Sequence, residues 1–159
     1  MRRAQRGDTG ALNELFKELT PFVGRLCASI ALDAGEDAAQ ETFVAIFRNL
    51  HSLREPAAFH GWVRRIAVRE SVRAASGRRP VPVDPALLSL SLTVPDGADA
   101  VDVNAILASL DPVQRAVLVM REVEGLSEDE MAAALGVAGG TVKSRLHRAR
   151  AAFRERWSA

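Results

Sequence analysis

Ser127-Glu128-Asp129-Glu130-Met131-Ala132-Ala133-Ala134-Leu135-Gly136-Val137, continued by Ala138-Gly139-Gly140-Thr141-Val142-Lys143-Ser144-Arg145-Leu146-His147-Arg148-Ala149-Arg150, decides the fold. Ser127 followed three residues on by Glu130 is a capping box, in which each side chain satisfies a backbone N–H that the first helical turn leaves open. The short helix it starts is expected to end at Leu135-Gly136, where glycine takes a left-handed backbone at little cost. A second helix follows from about Gly139-Gly140. Val142, Leu146, Ala149, Phe153 and Trp157 recur along it at helical spacing and are its expected inward face. Ala132, Gly136 and Val142 supply the small residue, the turn glycine and the β-branched packing residue of a tight helix-turn-helix.

Lys143, Ser144, His147 and Arg148 then point outward from the N-terminal half of the second helix, the half that enters the major groove in such motifs. Lysine and arginine reach guanine edges or phosphates, and serine and histidine hydrogen-bond bases. Thr141 lies beside them. Arg145, Arg150, Arg154 and Arg156 are expected to touch phosphate or solvent. The alternative is an ordinary helical hairpin with a charged surface; capping box, turn glycine and outward basic face together argue against it. Ala138-Gly139 opens this helix without a side-chain cap, so its start is expected to fray without DNA.

The remaining sequence fits around this motif. The chain has 159 residues, 48% of them hydrophobic, which suits one domain or two small ones and excludes a wholly disordered chain. Net charge is only +1, but it is unevenly spread. His60 to Arg79 holds six arginines and one acid, and Ala138 to Trp157 holds six basic residues and one acid. Pro80 to Ala105, between them, holds four aspartates and no basic residue. Each basic block alone reads as a solvated face; two on separate helices point to a polyanionic partner.

Upstream, Leu12, Leu15, Phe16 and Leu19 predict a helix that Pro21 breaks or restarts, and Phe22, Val23, Leu26, Cys27 and Ile30 form the next apolar stripe. Gly35 is expected to close a short turn. Ala39, Phe43, Ile46, Phe47 and Leu50 make the apolar side of a helix from Glu36 to Leu50, with Asp37, Gln40, Glu41 and Arg48 on the other. His51 to His60 reads as a loop containing Pro56. A further helix from about Gly61 to Ala75 turns Trp62, Val63, Ile66 and Ala67 inward and lines Arg65, Arg69 and Arg73 along one exposed stripe.

Gly77 to Val103 is rich in proline and acids and reads as a linker. Leu88, Leu90, Leu92 and Val94 alternate there with polar residues, as either an extended piece that docks on something or a tether lying on its own domain. Helical pattern resumes with Val103, Ile106, Leu107 and Leu110. Asp111-Pro112-Val113-Gln114 starts a helix expected to run to Glu124 and stop at Gly125. The expectation is an all-α protein of two small helical domains, 1–76 and 104–159, joined by linker 77–103.

The helix-turn-helix segment closely resembles region four of bacterial extracytoplasmic-function (ECF) sigma factors. Asp37-Ala38-Ala39-Gln40-Glu41-Thr42-Phe43 and Phe59-His60-Gly61-Trp62-Val63-Arg64-Arg65-Ile66-Ala67 resemble that family's region two. The order also fits. The resemblance implies a promoter-recognition subunit of RNA polymerase that is not itself an enzyme. It would set Asp37, Gln40 and Glu41 against core RNA polymerase, although the residues alone favour a solvated face. It would place Lys143, Ser144, His147 and Arg148, with Thr141 and Arg145, on the −35 element of promoter DNA. The loop from Arg54 to His60 and the helix after it would handle the −10 element, with His60 at the pocket for an extruded base and Arg65, Arg69 and Arg73 on the freed strand. Trp62 is either a stacking platform there or, by its spacing with Ile66, core. Ala38 and Ala39 stand where larger aliphatics are common, and the chain has no tyrosine, so stacking candidates are few.

Other classes fit less well. The histidines at 51, 60 and 147 are scattered, none at metal spacing with Cys27, and no glycine-rich phosphate loop follows a strand, so no catalytic, cofactor or metal site is expected. A stand-alone helix-turn-helix regulator needs neither the second basic helix nor the Gln40-Glu41 face, and as a dimer it would read paired half-sites. The expected protein is a monomer when free, makes no membrane contact of its own, and has an anti-sigma factor as partner. The charged Met1 to Asp8 stretch, a single cysteine and the lack of a long apolar run point to the cytoplasm. Cys27 reads as a small buried hydrophobe.

Overall fold

The computed structural model describes residues 1–77 and 98–158, and every regular element among them is helical. Two compact units result, Met1–Leu92 and Thr93–Ala159. The Leu88–Val94 alternation lies outside the described residues.

The first unit contains α1 (Arg2–Gln5), α2 (Thr9–Ala31), α3 (Gly35–Asn49) and α4 (Phe59–Ala75). Asp8 caps α2, its Oδ1 accepting from the Ala11 N–H at 3.0 Å. That backbone bond, followed by the Arg3 guanidinium 2.7 Å from Oδ2, holds the Asp8 carboxyl below its usual pKa. Val23, Leu26, Cys27 and Ile30 of α2 meet Ala38, Ala39, Phe43 and Ile46 of α3 and Val63, Ile66, Ala67 and Val68 of α4, all buried. Burying each of the larger side chains contributes on the order of 1.5–3 kcal/mol. Ala38 and Ala39 are thus closely packed core residues of a three-helix bundle.

Three expectations for this unit need correction. Pro21 does not break the first helix: α2 runs through it. Pro21 and Lys17, whose carbonyl loses its helical donor, both face solvent, so water can replace the missing bond. Gly35 is not the reversing residue either. The left-handed backbone belongs to Leu32, with φ of 53°, and Gly35 is the first residue of α3. It is glycine for want of room, because a Cβ there would sit 2.8 Å from the Cα of Ala28. His51 to His60, read as a loop, contains two 3₁₀ turns, Leu50–Ser52 and Pro56–Ala58, and Phe59 already belongs to α4.

The second unit holds α5 (Ala98–Ser109), α6 (Pro112–Leu118), α7 (Glu128–Leu135) and α8 (Gly139–Trp157), with a π-helical turn, Val119–Val123, prolonging α6. The α5 helix starts inside the stretch read as linker. Asp111 caps α6, accepting from the N–H groups of Val113 and Gln114. Arg115, which drew no attention as a sequence position, is 5% exposed. Its guanidinium donates to the carbonyls of Leu107 (2.7 Å), Ala108 (3.3 Å) and Leu110 (3.1 Å), closing the C-terminal end of α5. Burial pulls its pKa below the ordinary arginine value, and Asp111 partly restores it.

Candidate nucleic-acid interface

The helix-turn-helix forms as its residues dictate. Ser127 Oγ accepts from the Glu130 N–H at 3.3 Å, and Glu130 Oε2 accepts from the Ser127 N–H at 2.9 Å. Gly136 takes a left-handed φ of 65°, its N–H returning to the Ala132 carbonyl. Ala138 precedes α8 with no side-chain cap. Val142, Leu146 and Ala149 are buried, which fixes the rotation of α8 and turns Lys143, Ser144, His147 and Arg148 to solvent together. These four fall on one face because residues three and four apart are helix neighbours. Thr141 and Arg145 are half-buried beside them. Ser144 Oγ donates to the Thr141 carbonyl at 3.0 Å, so its lone pairs remain for a ligand.

The C-terminal half of α8 differs from expectation. Trp157 is 57% exposed and stacks on Phe153, ring centroids 6.0 Å apart. An open apolar groove of about 410 Å³, lined by Val103, Leu107, Val119, Val123 and Phe153 among others, lies along the preceding turns of this helix. Arg150, expected on phosphate or solvent, instead holds Glu122 at 2.7 Å.

In the first unit the α4 arginines do not form a simple exposed stripe. Glu70, only 4% exposed, lies among them. Arg69 pairs with one of its oxygens at 3.0 Å and Arg73 with the other at 3.2 Å. Arg73 also reaches Glu41 on α3 at 3.7 Å. Two of the three arginines are therefore offset by two carboxylates, while Arg65 is exposed and has no ion pair among the described residues. This contact also joins residues whose expected roles were separate, Glu41 for polymerase and Arg73 for DNA. His60 is exposed, its ring 5.6 Å from buried Phe59, and Trp62, its ring 6.2 Å from Phe59, is half-buried.

On α3, Asp37 is exposed and Gln40 and Glu41 are half-buried. Phe47, expected in the core, is 59% exposed. It lies at the edge of the apolar side, a turn from buried Phe43 but also at helical spacing from half-buried Gln40 and Val44. Spacing alone does not decide between the two sides, because 43 and 47 are also one turn apart.

A helix-turn-helix with an outward basic face in one unit, and an arginine-bearing bundle in the other, have the chemistry of a DNA-binding protein. The sigma-70 region 2 model matches residues 15–80 and the sigma-70 region 4 model residues 100–153. Over 94% of its length the chain is 34% identical to the ECF RNA polymerase sigma factor SigE of Mycolicibacterium smegmatis, of which it spans 63%. It is 32% identical to the RNA polymerase sigma-H factor of Pseudomonas aeruginosa and to the ECF RNA polymerase sigma-E factor of Escherichia coli, covering 95% of this chain and 88% of each relative. Among solved structures, CnrH in complex with the cytosolic domain of CnrY matches with a TM-score of 0.66 and 26% identity over 97% of this chain and 92% of that one. The chain belongs to the sigma-70 family, among its ECF RNA polymerase sigma factors. That membership displaces the stand-alone regulator.

Proposed function

We propose that this chain binds core RNA polymerase through its first unit and directs transcription initiation at promoters by reading a −35 element with α8 and a −10 element with the Arg54–His60 connector and α4. The observation that carries this reading is the outward set Lys143, Ser144, His147 and Arg148 behind a buried Val142, Leu146 and Ala149. Such a face presents two cations and two neutral hydrogen-bonding groups to a duplex. Asp37, Gln40 and Glu41 form the polymerase face, and exposed Phe47 adds an apolar contact to it. His60 and Arg65 act at the −10 element, joined by Arg69 and Arg73 once DNA competes with Glu70 and Glu41.

The chain acts in the cytoplasm and carries no enzymatic activity of its own. No described helix is long and apolar enough to cross a membrane. An anti-sigma factor is its regulatory partner; the similar CnrH was solved in complex with another protein, the cytosolic domain of CnrY. The test is transcription by core RNA polymerase on a random-promoter library, with and without the chain. A shared pair of upstream motifs in the transcribed templates supports the proposal, and an unchanged transcript population contradicts it.

A further inference from the structure

The α4 stripe is short of free positive charge, and the sequence supplies it elsewhere. With Arg69 and Arg73 set against Glu70 and Glu41, the pairing leaves little net charge on that part of α4 for a phosphate strand. Arginines without an ion pair among the described residues occur at Arg2, Arg6 and Arg54. The α1 helix spans only Arg2–Gln5, too short to hold itself together in water, so tertiary contacts must fix it. Ala4 is buried, Arg3 holds Asp8, and Gln5 Nε2 donates to the carbonyls of Leu50 (3.1 Å) and Leu53 (2.7 Å). Those carbonyls lie just before the Arg54–His60 connector, and Arg54 follows Leu53 directly.

Arg2 and Arg6 lie four apart and share a side of this turn, and both are exposed. Arg3, between them, is diverted to Asp8 at 2.7 Å. Residues 1–7 contain no acid, and the connector contains one, Glu55. Among the described residues no carboxylate pairs with Arg2, Arg6 or Arg54.

We propose that Arg2 of α1 and Arg6 just after it, together with Arg54 of the connector, form a second phosphate-binding surface that grips the promoter backbone beside the −10 contacts. The proposal rests on the promoter-binding reading above. The surface adds affinity without sequence preference, because guanidinium groups on phosphates carry no base information.

The test uses holoenzyme assembled from the full chain and core RNA polymerase. The probe is a promoter duplex that the wild-type holoenzyme selects from random-sequence DNA. Affinity is measured as a function of salt for the wild type, Arg2→Ala/Arg6→Ala, Arg2→Lys/Arg6→Lys, and Arg25→Ala as an exposed control on α2. Losing two phosphate contacts flattens the log–log salt slope by about 1.4–1.8. The expected result is that flattening in the double alanine variant, a wild-type slope in the lysine and Arg25 variants, and unchanged affinity for core polymerase. A double alanine slope equal to wild type overturns the proposal and leaves Arg2 and Arg6 as solvated charges. If the wild-type holoenzyme selects no duplex, the promoter reading has failed and this surface falls with it.

Discussion

Replacing Gly35 by alanine sets two opposed effects against each other. Gly35 has an ordinary helical φ of −62°, so no left-handed requirement protects it. In a helix, alanine in place of glycine is worth about 0.5–1 kcal/mol of added stability. Here the new Cβ would stand 2.8 Å from the Cα and 3.2 Å from the N of Ala28, both backbone atoms of α2 that no rotamer change can move aside. Overpacking of this kind costs about 1–3 kcal/mol. The clash wins, and Gly35→Ala destabilises the first unit by about 1 kcal/mol, which lowers the melting temperature of a unit this size by about 4–8 °C. Gly61 is the internal control: it also lies in a helix, with nothing within 4 Å of its virtual Cβ. Gly61→Ala is expected to stabilise by about 0.4–1 kcal/mol. The two tryptophans, Trp62 and Trp157, lie one in each unit, so a Trp157→Phe background lets Trp62 emission report the first unit during urea or thermal unfolding. A Gly35→Ala protein as stable as the parent, alongside a stabilised Gly61→Ala, would refute the close approach of α2 and α3.

Other perturbations address the rest of the molecule. Arg115→Met removes all three bonds to the end of α5 and should cost the second unit about 2–3 kcal/mol, read from Trp157 emission; a melting point unchanged by that variant would contradict the buried clasp. Lys143→Ala or Arg148→Ala should weaken −35 duplex binding by about 1–3 kcal/mol if the contact is to a base, or flatten the salt slope by about 1 if to phosphate; no change in either quantity would misplace the recognition face. Cys27 is fully buried and its thiol pKa is pushed up by desolvation, so a thiol reagent at mildly alkaline pH should label it only as fast as the first unit opens; immediate stoichiometric labelling of folded protein would contradict that burial.

The second unit's motif was legible because its signals are local. Ser127, Glu130 and Gly136 act within a few residues of themselves, and Val142, Leu146 and Ala149 fix a helix rotation by spacing alone. What escaped depends on partners far along the chain. Arg115 reads as one more surface cation until its carbonyl partners on α5 are placed around it. Gly35 looks like a turn because its reason is the backbone of Ala28, on another helix. Pro21 looks like a breaker because the pattern does not say that its side of α2 faces water. Glu70 is one acid in a basic block, and only the packing of α3 against α4 brings it and Glu41 to Arg73. Phe47 and Trp157 were placed inside by hydrophobicity although each lies beyond the rim of the core its helix packs on.

The central claim is that α3 docks on the polymerase. The direct measurement is the affinity of the full chain for bacterial core RNA polymerase, compared with a Gln40→Ala/Glu41→Ala variant. Arg73 keeps its 3.2 Å partner Glu70 in that variant, so the α4 network survives and the fold can be verified by unfolding. The account predicts tight binding by the parent and markedly weaker binding by a variant that melts like it. Parent and variant binding core equally, or neither binding at all, would contradict it.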